Sequence, residues 1–411
     1  MSSLRIVFAV HAYKPAYRVG GPVISVSALA EKLVARGHDV TVFTSNSNLD
    51  EELDVPLGRP VDIEGVHVRF FKPVEQVKRW LPFVPYLSKS MGFLYSPAMR
   101  DQLEHVVPTV QVVHTHLPFV YPTFAAARAA FRHQKPLFYH QRAAYDPGRL
   151  RFRTLKKRLY IAAIERPIMR KAAALIALTS AEQESYRALG VDTPCRIIPN
   201  GIDVTQYQTV PDVGAGARWG IPAGARVILF MSRLHANKGA DKLLRAFLQV
   251  QARFPEAVLV MAGPDEHGLE RQLRLVVEEA GLTGRVIFPG MIGGSEKRDL
   301  LARADLFCLP SEGEGFSMAV LEALASGTPV LLSPGCHFPE AQAAGVGRTA
   351  PTEPAALAIV LSEMLQEPAA LQSMRSRARE FVTQNYSWER VADQTLDAYA
   401  EGIDRLQRVR A

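Results

Sequence analysis

Glu314 and Glu322 stand eight positions apart in the stretch SEGEGFSMAVLEALASGTPVLLS, residues 311–333. One lies in a glycine-rich loop, the other inside an apolar run with helical spacing. A carboxylate on a buried helix face is costly unless something pairs with it. Each glutamate therefore meets either water or a ligand. The loop opens the helix at Gly315, Phe316 and Ser317, and free backbone N–H groups at a helix start form an anion site that the helix dipole reinforces. Gly313 and Gly315 let the backbone approach a bulky ligand closely. Upstream, Arg233 and Lys238 follow the apolar run VILFMS and can neutralise a diphosphate. This set of groups suits a nucleotide-sugar, with one carboxylate for the ribose, one for the sugar and a diphosphate between them. On spacing alone, a solvent-facing Glu322 beside a merely tight turn fits equally well.

Such groups need strand ends to hold them. In the first half, the runs at 5–10, 38–45, 110–116, 136–141 and 174–180 are short, apolar and end in polar residues. Runs apolar on both faces suit a parallel sheet covered by helices. GGPVISVSALAEKLVARG (20–37) reads as a helix, with Pro22 near its start and Gly37 as its stop. The alternation restarts at ARVILFMSRL (225–234) and continues through strands at 257–263, 285–290 and 306–311. The pattern predicts an α/β chain of two doubly wound, Rossmann-like domains facing across a cleft, spanning 1–199 and 200–387. The Gly- and Pro-rich stretch 200–224 reads as a hinge region. Ligands of such sheets bind at the carboxyl ends of the strands. There the first half offers Gly20, Gly21, His114, His116, His140 and Arg142, and the second offers Arg233, Lys238, Gly290 and the 312–317 loop.

The 411 residues are 48% apolar and 22% charged, globular values with room for two cores. Charged residues interrupt every run that could cross a bilayer, and the first apolar run reads as a buried strand rather than a signal peptide. Three scattered cysteines suit a reducing cytoplasm. Residues 1–199 carry 27 Lys/Arg against 16 Asp/Glu, whereas the remainder carries 21 against 25. Nine of the basic residues fall between Arg149 and Lys171, opposed by Glu165 alone and interleaved with Leu, Tyr and Ile. That run reads as a basic amphipathic helix for an anionic membrane surface, or else as a solvated face. No aromatic-basic motif supports nucleic-acid binding. His114 and His116 form an H-x-H pair, but no third ligand cluster is apparent, so no metal site is expected. A core or acceptor-lining role suits them better, with His116 nearer the cleft edge. The chain contains no D-x-D, which argues against metal-dependent transfer chemistry. No tight G-x-G-x-x-G follows the first strand, which weighs against a dinucleotide dehydrogenase.

SRLHANKG, PNGID, VIFPG and PSEGEGFSMAVLEALASGTPVL, taken in order, resemble the GT-B glycosyltransferases of family 4, the glycosyl transferases group 1 enzymes. The resemblance runs from the first strand to the closing YSWERVADQTLDAY. It implies a retaining enzyme whose donor is a nucleoside-diphosphate sugar, of UDP or GDP type, with no further cofactor. Arg233 and Lys238 would hold the diphosphate, Glu314 the sugar and Glu322 the ribose, with Gly290, Gly315, Phe316 and Ser317 lining the donor site. Gly20, Gly21, His116 and Arg142 fall on the acceptor side. His140 matches the histidine that approaches the donor sugar from the opposite domain. A final helix from about Trp388 to 411 would cross back onto the first domain. HQRAAYDPG followed by LKKRLY looks like the bacterial members that assemble cell-surface polysaccharides, which implies a lipid-linked saccharide acceptor and a cytoplasmic enzyme peripheral on the inner face of the membrane. A soluble acceptor such as a sugar phosphate, and a nucleotide-sugar-binding subunit without turnover, are the alternatives.

Overall fold

In the computed structural model, residues 3–74, 94–145, 154–207 and 216–410 are described. The chain divides into two compact units, Met1–Gly201 with Trp388–Ala411, and Ile202–Ser387.

Among the described residues, the main sheet of the first unit has eight strands: β1 (Arg5–Ala9), β2 (Asp39–Ser45), β3 (Val61–Ile63), β4 (Val66–Phe71), β5 (Val112–His116), β6 (Leu137–His140), β7 (Ala174–Ala177) and β8 (Cys195–Ile197). Their order is β8-β7-β6-β5-β1-β2-β4-β3, parallel except for the β3–β4 hairpin. Every residue of β5, β6 and β7 is buried, so continuous apolar runs replace alternation. Cores lie on both faces of the sheet. The chain leaves β1 for β2 and β4 on one side, then returns to β5 on the other. That reversal makes the β1/β5 boundary the switch point at which such sheets bind ligands. Gly21–Ala35 forms the helix after β1, with Gly20 at its cap in a positive-φ conformation (101°). Trp388–Arg410 is one helix of this unit, joined to the Gly21–Ala35 helix by ion pairs of Lys32 with Glu389 (2.6 Å) and Arg36 with Asp393. Its return to the first unit is the course the family resemblance implies.

The second unit has six parallel strands: β9 (Arg226–Met231), β10 (Ala257–Ala262), β11 (Val286–Gly290), β12 (Leu306–Leu309), β13 (Val330–Leu332) and β14 (Gly347–Thr349), in the order β11-β10-β9-β12-β13-β14. One core surrounds this sheet. Its switch point lies between β9 and β12, so the loops after these two strands are neighbours. Those loops carry Arg233, Lys238 and Glu314. The sequence pattern located ten of these fourteen strands; it missed the hairpin β3–β4 and the short edge strands β8 and β14. β3, β8 and β14 are edge strands of three residues each, and β4, one place in from the edge, alternates buried Val66 and Val68 with the polar His67 and Arg69 instead of forming a continuous apolar run.

Candidate active site

In the second unit, two glycines set the geometry. Gly239 ends the Ala236–Lys238 turn at φ 73°, and a Cβ there would lie 2.2 Å from the carbonyl oxygen of Pro310. Only glycine lets the loop after β9 approach the end of β12 so closely. That approach brings Lys238 Nζ to 2.6 Å from Glu314 Oε1, with both side chains largely buried. A Cβ on Gly263 would lie 1.9 Å from the carbonyl oxygen of Ser232, so the ends of β9 and β10 also abut. The 311–317 loop is pinned from two sides. The Glu312 N–H and the Ser311 hydroxyl donate to the Asn237 carbonyl, and the Glu314 N–H donates to that of Gly335 (2.8 Å). Met318–Ala325 follows as a helix, and no side-chain bond from Ser317 caps its start. Its first N–H groups are free for an anion.

Glu322 does not face solvent. Its carboxylate accepts from Lys297 Nζ at 2.6 Å and from the Tyr207 hydroxyl, and burial with that carboxylate beside it drives the Tyr207 pKa upward. The reading of Glu322 as a water-facing residue is thereby corrected: a largely buried carboxylate is held by a cation and a phenol. Neither Lys297 nor Tyr207 was legible as a site residue, since Lys297 sits in GGSEKRDLL, which reads as a solvated helix face. Gly290 ends β11 with φ 74° and an open surface where a side chain would be. Phe316 packs edge-on to Phe338 (5.9 Å between ring centroids) and so anchors the loop to the core. Arg233 is paired with Glu266, Nη1 to Oε1 at 2.5 Å, on the more exposed rim.

In the first unit, the register places His116 beside His140, and His114 lies two residues earlier on β5. The three rings cluster, with candidate ligand atoms within 4.8 Å of one another. The expectation that H-x-H lacks a third partner fails here, because adjacent parallel strands supply His140. Arg142 shows why the trio is nonetheless a poor cation site. Its Nε donates to His116 Nδ1 (3.2 Å), while Nη1 donates to Ser25 Oγ (2.8 Å) and Asn200 Oδ1 (3.1 Å). A guanidinium only donates, so the neutral His116 ring carries its proton on Nε2 and offers the cluster an N–H instead of a lone pair. The positive charge of Arg142 opposes a cation further. His116 is fully buried behind Arg142, which corrects its expected place at a cleft edge.

Burial pushes all three imidazoles well below the ordinary histidine range, and Arg142 lowers them further. The Arg142 guanidinium itself is pushed down to about 10 by burial, offset in part by Glu182. His114 Nδ1 lies 2.7 Å from the Tyr399 hydroxyl of the last helix. Among the described residues neither ring nitrogen of His140 has a partner. Arg142 and Ala143 both adopt left-handed backbone conformations (φ 48° and 61°). That strained turn is held by Glu182, whose Oε1 accepts the Ala143 N–H, and by Gln141, whose Oε1 accepts the Tyr145 N–H. Ser25, Asn200 and Glu182 were not legible as site residues, because their roles come from strands and helices distant in sequence. The Asp146-Pro147 part of the histidine motif lies outside the described residues.

Two family models match the chain: Glycosyltransferase Family 4 over residues 19–206 and Glycosyl transferases group 1 over residues 216–381. D-inositol 3-phosphate glycosyltransferase of Saccharomonospora viridis is 27% identical over 93% of this chain and 90% of that protein. Phosphatidyl-myo-inositol mannosyltransferase of Mycolicibacterium smegmatis is 28% identical over 92% of this chain and 90% of its own. Among solved structures, Anabaena Alr3699/HepE in complex with UDP aligns with a TM-score of 0.73 at 20% identity, covering 97% of this chain and all of that one (100%). That likeness shows the fold.

Proposed function

Since the chain belongs to the family 4, group 1 glycosyltransferases of GT-B fold, we propose that it transfers a sugar from a nucleoside-diphosphate donor to an acceptor hydroxyl with retention of configuration. The observation that carries this reading is the Lys238–Glu314 pair, set at the switch point beside the free helix start at Met318. Arg233, Lys238 and the helix N–H groups would hold the diphosphate, Glu314 the sugar and Glu322 the ribose. As the bond from the anomeric carbon to the phosphate oxygen breaks, its electron pair passes to the diphosphate. The cations and helix start stabilise the charge that develops there. The acceptor oxygen attacks from the same face, and its proton goes to the departing phosphate oxygen. His140 orients the sugar as a neutral imidazole. These groups do the work of a divalent ion, so the reaction requires none.

The acceptor is proposed to be a lipid-linked saccharide of cell-surface polysaccharide assembly, met at the inner face of the cytoplasmic membrane. No helix among the described residues is long and apolar enough to cross a membrane, so the contact would be peripheral. One relative is named for a phosphorylated cyclitol and another for a phosphatidyl-linked one. The first name favours a second reading, a soluble phosphorylated acceptor.

A thermal-shift panel of UDP, GDP and their sugars tests the donor assignment. A donor at about 100 times its Kd should add ~2.7 kcal/mol of stability. Sugar transfer should also survive excess EDTA. If no nucleotide shifts the melt, or if EDTA abolishes turnover and Mg²⁺ restores it, this mechanism is wrong.

A further inference from the structure

Among the described residues, three cation–carboxylate pairs on the second unit's ligand face include Arg233, Glu314 or Glu322, the charged residues proposed to hold the donor, and one of the three differs from the others. Lys238–Glu314 and Lys297–Glu322 are largely enclosed, with side chains 12–27% exposed. Arg233–Glu266 lies at the rim, with side chains 56% and 31% exposed. Glu266 is not tied to Arg233 by helix geometry. It follows β10, and its backbone is laced to the loop after β9: Leu234 N–H donates to Pro264 O (2.9 Å), and Glu266 N–H donates to Leu234 O (3.2 Å). Its carboxylate therefore reaches Arg233 from a fixed backbone, and only the side chain needs to move to let go.

The surroundings of that carboxylate are basic. His235 and His267 place ring nitrogens within 4.8 Å of it, and His267 is held at φ 64°. The Arg233 hydrogen bond, followed by the charges of Arg233, His235 and His267, keeps the Glu266 carboxyl below the usual range. A metal ion does not suit this trio. His235 Nδ1 accepts the Asn237 N–H (3.1 Å), so the neutral ring carries its proton on Nε2 and presents a donor. The Arg233 guanidinium donating from one side, with two imidazoles close by, describes a site for an anion, and Glu266 fills it.

We propose that Glu266 is an internal stand-in for the donor's diphosphate, holding Arg233 when no nucleotide is bound and recapturing it as the nucleoside diphosphate product leaves. This rests on the reading of Arg233 as a diphosphate ligand. An exposed ion pair contributes little to stability, so a doubly charged diphosphate displaces Glu266 readily. After transfer, the same carboxylate competes for Arg233 and shortens the product's residence. Product release limits turnover in many enzymes, which gives such a competitor a function.

Glu266→Gln should bind UDP about five-fold tighter, the ratio that an exposed pair of this kind can supply. The change should appear as slower UDP release and stronger product inhibition, and it should shrink as salt screens the charges. Glu270→Gln, which removes a nearby carboxylate paired with Arg274, should change UDP affinity less than about two-fold. Isothermal titration and stopped-flow displacement with UDP, and with GDP in parallel, read both variants, and thermal melts confirm that they fold. Weaker or unchanged binding by Glu266→Gln overturns the proposal, since weaker binding is what a residue that merely positions Arg233 would give. Equal tightening by Glu270→Gln also overturns it, as a general field effect. Arg233→Ala separates the two claims. If it leaves nucleotide affinity intact, the donor-site reading fails. If it weakens binding while Glu266→Gln does not tighten it, only the stand-in fails.

Discussion

Arg233 and Lys238 belong to one motif, yet the structure gives them different surroundings. Lys238 is enclosed and braced by Glu314, whereas Arg233 stands at the rim. Leaving-group stabilisation in a dry, preorganised site is worth more than the same charge in water. Lys238→Ala should therefore cost roughly 10²-fold or more in turnover, about 3 kcal/mol of transition-state stabilisation. It should also leave Glu314 as an unpaired, nearly buried carboxylate, so some thermal stability goes with it. Arg233→Ala should cost a similar order in turnover with little change in melting, since its partner Glu266 can turn to water. Initial rates with saturating donor, alongside melts, check both. Turnover within a factor of two of wild type in both variants would remove these residues from the site.

The basic run between Arg149 and Lys171 is not one continuous amphipathic helix. Arg149, Arg151 and Arg153 lie outside the described residues. From Thr154–Tyr160 the chain passes through a π-turn, Ile161–Glu165, into Arg166–Lys171. The wide turn carries Glu165, the one acidic residue of the run, into the interior. There it accepts from the Phe119 N–H (2.8 Å) and the Tyr139 hydroxyl (2.6 Å), and burial raises its pKa. Ile161 and Ile168 face the core as well. What remains outside is Leu155 (70% exposed) and Leu159 (62%), one helical turn apart, among the exposed Lys156, Arg158, Arg170 and Lys171. Each basic residue near an anionic leaflet contributes about 1 kcal/mol. Vesicle co-sedimentation should show binding to anionic but not zwitterionic lipid, weakening with salt. Lys156→Glu with Arg158→Glu should release the protein, and Leu155→Ser with Leu159→Ser should weaken it, while nucleotide affinity stays unchanged. Failure of the wild type to bind anionic vesicles at low salt would make this a solvated face and favour the soluble acceptor.

Across the whole molecule, the buried histidines fall in one unit. His11, His38, His114, His116 and His140 are buried, and all belong to the first unit. In the fold, burial holds His114, His116 and His140 neutral, well below the ordinary value of 6.5 that applies once the chain unfolds. The unfolded state therefore binds more protons below pH 6.5. Their contribution to stability is intact above that pH and is lost as pH falls beneath it, by up to about 1.4 kcal/mol per pH unit for each imidazole that stays neutral. Hydrogen exchange, corrected for the intrinsic rate, should show β5 and β6 losing protection between pH 7.5 and 5.5, with β9 and β10 far less affected. Equal protection of both sheets across that range would rule out this account.

The sequence by itself determined the two α/β units, ten of the fourteen strands of their main sheets and the loops that carry chemistry, but not the order of the strands within each sheet. Those features follow from local periodicity and from glycines whose need is steric: NKG at 237–239 already announces a tight turn, and EGEGFS a helix start. It could not determine what each charged side chain touches. Lys297 and Glu322 are 25 residues apart in the chain, Arg233 and Glu266 33, and Ser25 and Arg142 117. Only packing of one helix or strand beside another makes them partners. The same holds for the histidines, where H-x-H is visible but the third ring comes from the neighbouring strand, and Arg142 decides which nitrogen holds the proton. Local sequence fixes backbone conformation over a few residues. Electrostatic partnership is set by distance in space, which the tertiary fold alone decides.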